Sequence, residues 1–83
     1  MPTKSLPPLS SNSSRAHMAA NIRRLRKAKD LSQEELAELA DFHRTYVSQL
    51  ERCKANISID GLERIARILG VEAIDLLQPP PAE

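Results

Sequence analysis

Aromatic side chains are almost missing from this chain: one Phe, one Tyr and no Trp among 83 residues. Valine is nearly as scarce, and Leu, Ile and Ala supply most of the 41% hydrophobic content, a balance that favours helices over strands. The single cysteine, Cys53, excludes an intramolecular disulfide, and no Cys/His pair has zinc-ligand spacing, so a reducing cytoplasm is the compartment that fits. Nowhere do about 18 apolar residues run together, and the opening "MPTKSLPPLS" has no apolar stretch resembling a signal peptide. A soluble, intracellular protein with no membrane partner is expected. Eighty-three residues make one domain and leave little room for a pocket enzyme. No nucleophile stands beside a plausible base, and His17 and His43 lack a clustered carboxylate or thiol, so no catalysis, metal or cofactor is expected.

Net charge is only +1, but its distribution is uneven. Met18 to Asp30 carries five basic residues and one acid, whereas Ile57 to Glu83 carries two basic and five acidic, so one end can face a polyanion. Residues 2–14 hold three Pro and five Ser with only two Leu, too little apolar area to offset the entropy of ordering. Residues 1–16 therefore read as a disordered arm, containing Lys4 with Arg15 at its end. The closing "QPPPAE" cannot continue a helix, which leaves 17–77 as the folded domain and 78–83 as a Pro-rich tail.

Within the domain the apolar spacing describes an all-α bundle of about five helices. Met18, Ile22 and Leu25 mark the stripe of a first helix, His17 to Lys29. In "DLSQEELAELA" Ser32 and Glu35 have the spacing of a capping box, starting a second helix that buries Leu36, Ala37 and Ala40 with Leu39 at the margin. Asp41 tolerates the left-handed conformation that ends it. A three-residue turn, Asp41 to His43, then joins it steeply to a third helix, Arg44 to Arg52. Ser58 caps a fourth, whose stripe is Ile59, Leu62, Ile65, Ala66 and Leu69 and whose stop is Gly70. Ala73 to Leu77 forms a short fifth.

Both aromatic residues fall in "DFHRTYVSQLERC". At roughly 100° per residue, Val47 and Leu50 of the third helix point one way, and Thr45, Ser48, Gln49 and Arg52 point the other, with Arg44 at the edge. Each of these outward residues can hydrogen-bond a base edge or a phosphate, and none is acidic. Phe42 reads as core, and Tyr46 sits at the boundary with its ring covering apolar surface. A capped helix, a three-residue turn, a polar-faced helix and a basic helix before them compose a helix-turn-helix.

From about Ala19 to Leu77 the sequence resembles the lambda-repressor-like, XRE/Cro type helix-turn-helix family, through "IRRLRKAKDLSQEELAELA", "RTYVSQLER" and "LERIARILGV". The shorter "HRTYVSQLERCKANISI" is similar to the controller proteins of restriction-modification operons. The resemblance implies a sequence-specific DNA-binding transcriptional regulator, reading a palindromic operator in double-stranded DNA as a two-fold dimer. Gln33 matches a phosphate contact that also braces the first base-reading side chain. Arg44, Thr45, Ser48 and Gln49 match the base-facing positions, with Tyr46 nearby, and Arg52, Lys54 and Asn56 the backbone contacts that follow. Arg26 and Glu51 match a partly buried ion pair between the first and recognition helices.

Asp41 and Cys53 stand where the family commonly has Gly, His43 replaces the usual Ser, Thr or Asp cap, and Ile57 replaces a frequent Pro. Dimerisation is expected through the C-terminal part, where Ile74, Leu76 and Leu77 offer more apolar surface than one small core hides. The alternative is a protein-interaction module, an antitoxin or docking domain, using the same fold to grip an acidic protein partner. A cytoplasmic, nucleoid-associated location follows from the DNA-binding reading.

Overall fold

The computed structural model describes residues 13–82. These form five helices and, among the described residues, no strand: α1 (Ser14–Ala28), α2 (Gln33–Ala40), α3 (Arg44–Glu51), α4 (Ile59–Leu69) and α5 (Ala73–Leu77). None is long and apolar enough to cross a membrane. Residues 1–12 of the expected arm lie outside the described residues, but its last three positions do not behave as an arm. Helix α1 begins at Ser14, not His17, because the Ser13 hydroxyl accepts from the Ala16 amide at 3.3 Å and caps the helix there.

Local chemistry sets the other boundaries. Ser32 accepts from the Glu35 amide at 2.9 Å, while the Glu35 carboxylate accepts from the Ser32 amide at 2.9 Å, the reciprocal box expected from their spacing. Asp41 closes α2 in the left-handed region at φ 59°. His43 starts α3 without a side-chain hydrogen bond to the helix. Ser58 caps α4 through the Gly61 amide at 3.0 Å, and Gly70 ends it at φ 77°, where a glycine carries no Cβ penalty.

The core gathers one stripe from each helix: Met18 and Ile22 from α1, Leu36, Ala37 and Ala40 from α2, Val47 and Leu50 from α3, Leu62, Ile65, Ala66 and Leu69 from α4, and Leu76 from α5. Helix α1 packs against α3, α4 and α5, while α2 packs against α3 and α4. One stripe assignment needs correction. Ile59 is 69% exposed, since it lies roughly 70° from the mean direction of Leu62, Ile65, Ala66 and Leu69 at 100° per residue. Its place is filled by Ile57 and Phe42, which pack against the core where Gly61 leaves room: a Cβ at Gly61 would stand 3.0 Å from Ile57 and 3.1 Å from Phe42. Leu39, expected at the margin, is 61% exposed.

Asn21 is a buried polar residue that apolar spacing does not reveal. Only 1% exposed, its amide nitrogen donates to the carbonyls of Asp75, Leu76 and Gln78 at 3.3, 3.1 and 2.7 Å. His17 Nδ1 shares a further hydrogen bond with the Leu77 carbonyl at 3.1 Å. A helix as short as α5 has little stability of its own, so this polar latch, together with buried Leu76, holds it to α1.

Candidate functional site

The direction in which α3 presents its side chains is decided from behind. Val47 and Leu50 are both fully buried in the core, each burial worth about 1.5–3 kcal/mol, so rotating α3 about its axis would expose them. With those two fixed, helical geometry turns Thr45, Ser48, Gln49 and Arg52 to the opposite side. Arg44, Thr45 and Arg52 are exposed there, and Ser48 and Gln49 are half-buried. Lys54 and Asn56, in the loop after α3, are exposed as well.

A second constraint fixes the tilt. Arg26 Nε and Nη2 donate to the two carboxylate oxygens of Glu51 at 2.7 and 2.9 Å, and Arg26 Nη1 donates to the Leu31 carbonyl at 2.8 Å. The Glu51 side chain is only 3% exposed, and its hydrogen bond raises the Arg26 pKa above the ordinary arginine value. Gln33, at the start of α2, donates its amide to the same carboxylate at 3.2 Å. One anion thus ties α1, the first turn of α2 and the end of α3 together. This contact of Gln33 with Glu51 is one that the sequence reading did not include.

The two aromatic rings stabilise the other flank of α3. Phe42 and Tyr46 meet edge to face, centroids 5.0 Å apart at 65°, and the Arg64 guanidinium lies 4.7 Å over the Phe42 ring. Both rings are half-buried against the core, so Phe42 is a core-edge residue more than a central one. The Tyr46 hydroxyl donates to the Asn56 carbonyl, and burial pushes its pKa up. Asn56 is held a second time by Arg15, whose Nη2 donates to the Asn56 Oδ1. Residue spacing gives no hint of this contact, because its partners lie 41 positions apart.

The resulting face carries Arg44, Arg52 and Lys54, and among the described residues the one ion pair is Arg26 with Glu51, so none of these three cations is neutralised. Such a surface of cations, hydroxyls and amides suits a polyanion bearing hydrogen-bonding edges. No group of three or more His, Cys, Asp or Glu side chains among the described residues is placed to hold a metal ion. At the C-terminal side Ile74 is 63% exposed, Leu77 is half-buried, and Leu76 is fully buried. Leu76 therefore corrects the expectation of three apolar residues at a dimer surface: the core of one protomer already hides it.

Comparison with known proteins gives consistent relatives. The family model described as Helix-turn-helix, HTH_3, matches residues 22–76. The control protein C.BamHI of Bacillus amyloliquefaciens is 43% identical over 67 residues, spanning 80% of this chain and 83% of that protein. The crystal structure of a hypothetical transcription factor from Neisseria superposes with a TM-score of 0.80 at 44% identity, covering 92% of this chain and 88% of that one. The master regulator for biofilm formation SinR, crystallised in complex with DNA, superposes at 0.68 with 37% identity, over 74% of this chain and 98% of that one.

Proposed function

This chain belongs to the helix-turn-helix family of DNA-binding transcription regulators, and from that premise we propose that it acts by laying α3 in the major groove of a specific operator. One observation carries the reading: Val47 and Leu50 are buried while the opposite ridge of the same helix, exposed at Arg44, Thr45 and Arg52 and half-buried at Ser48 and Gln49, is acid-free and rich in donors. In the proposed complex Arg44, Thr45, Ser48 and Gln49 face base edges. Arginine suits guanine, glutamine suits adenine, and the hydroxyls suit several partners. Arg52, Lys54 and Asn56 meet phosphates beyond the helix, and Gln33 meets one at the start of α2. The first amides of α3, which His43 leaves without a side-chain cap, add to that grip.

Tyr46 works beside this ridge, steadying the loop that follows. A single face of eight helical residues reads only a few base pairs. Two protomers related by a two-fold axis would read half-sites about one helical turn apart, and exposed Ile74, with half-buried Leu77, is the apolar surface offered for that pairing. A protein that works on an operator in this way would act in the cytoplasm, on the nucleoid. Selection of bound duplexes from a random pool tests the reading: a palindromic consensus is expected, and a pool that enriches no sequence overturns it.

A further inference from the structure

We propose that Arg15 and Asn56 form a two-pronged phosphate clamp at the rim of the recognition surface, extending the DNA contact from the α3 loop to the first turn of α1; this rests on the DNA-binding reading above. The two residues come from distant parts of the chain. Arg15 is the second residue of α1, Asn56 precedes the Ser58 cap of α4, and the Arg15 Nη2 donates to the Asn56 Oδ1. Both residues are exposed.

Local helix energetics does not account for Arg15. A cation in the first turn of a helix opposes the macrodipole, and α1 has no acid in that turn to offset it. Nor does an ion pair account for it, because among the described residues only Arg26 and Glu51 form one. What Arg15 does hold is the orientation of the Asn56 amide. Guanidinium has donors only, so the oxygen of the amide must face it and the NH2 must face away. That NH2 makes no hydrogen bond among the described residues.

The backbone beneath is fixed as well, since the Tyr46 hydroxyl donates to the Asn56 carbonyl. Two donor groups, the Asn56 NH2 on a braced loop and the remaining N–H groups of Arg15 on the first turn of α1, are thus presented together. Arg52 and Lys54 are close by in sequence and equally exposed. A site whose outward groups are donors and positive charge, with its amide oxygen turned to the guanidinium, suits a group that only accepts. The phosphate oxygen of a duplex is that group, and the position beyond the end of α3 is where a backbone rather than a base edge would pass.

Arg15 is therefore a positioning residue toward Asn56 and a contact in its own right. The test is equilibrium binding of the full chain and of its R15A, R15K and N56A variants to the selected palindromic duplex and to a random duplex, from about 50 to 200 mM salt. R15A is expected to weaken binding to both duplexes by the same factor and to make the slope of log K against log salt shallower by about 0.9 per protomer. R15K should recover the slope but not the full affinity, because an ammonium cannot hold the amide in a fixed plane. The R15A/N56A double variant should lose less than the two single losses combined. An unchanged slope for R15A on a duplex that the parent protein binds overturns the clamp, whether or not the melting temperature falls. So does a loss confined to the palindromic duplex, which would make Arg15 a base contact. If the parent protein binds no duplex in a salt-dependent way, the DNA-binding reading fails first.

Discussion

Cys53 sits at φ 61°, immediately after the C-cap of the recognition helix, in the conformation that a glycine would adopt freely. For a residue with a Cβ the left-handed region costs about 1–2 kcal/mol, and the unfolded-state entropy of glycine returns part of that on substitution. Cys53→Gly should therefore raise stability by about 1 kcal/mol in thermal denaturation; no gain would mean that the loop is already relaxed around the thiol. Asp41 has the same backbone sign at φ 59°, but Asp tolerates it better, so Asp41→Gly should gain less. On the ridge, Arg44→Ala should cost about 1–3 kcal/mol of binding to the selected operator and relax preference at one base pair. Binding isotherms on operator and random duplex check this, and an equal loss on both would make Arg44 a phosphate contact. The left-handed turn at Asp41 was legible because Asp tolerates that conformation at the point where the apolar stripe of α2 stops. Asp30, at φ 56° between α1 and α2, was not singled out, although the same property of Asp serves there.

The elements are joined by a charged contact as well as by apolar packing. Glu51 is nearly buried and accepts from Arg26 twice and from Gln33 once, so removing the cation leaves an uncompensated carboxylate. Arg26→Ala should destabilise by about 3–5 kcal/mol in chemical denaturation, and replacing both Arg26 and Glu51 by Leu should cost less than that single change. A double variant as unstable as the single one would show that the Leu31 carbonyl, also bonded by Arg26, matters more. Acid acts on a different element. The Glu35 pKa is lowered from the ordinary 4.5, first by the Ser32 amide and then by the Ser32 hydroxyl. A carboxylate held below its unfolded value stabilises α2 fully above that value, and the contribution fades as pH falls through the folded one. Glu35→Gln keeps the box without a titrating group. Parent and variant should thus keep a constant difference in melting temperature near neutral pH, with the parent losing ground below about pH 4.5; parallel curves into acid would contradict it. The capping box could be read from spacing alone, since both partners are three residues apart. Asn21, whose partners lie more than fifty positions away at α5, could not.

At the scale of the molecule, the five helices and the buried side of α3 followed from apolar periodicity, because Val47 and Leu50 point where a core must be. Periodicity failed at helix starts. Ile59 satisfied the spacing but stands ahead of the core edge, and Ser13 began α1 three residues early because a capping hydroxyl carries no hydrophobic signal. What joins the helices into one recognition surface was only partly legible. The Arg26–Glu51 pair came from family resemblance, whereas the meeting of Arg15, Tyr46 and Asn56 required coordinates. The account depends on that surface facing a duplex, and chemical-shift mapping by NMR tests it most directly. Titration with the selected double-stranded oligonucleotide should perturb the amides of Arg44 through Arg52 and of the loop to Asn56 more than those on the outer face of α4. Shifts gathered elsewhere, with Arg44 to Arg52 undisturbed, would contradict it.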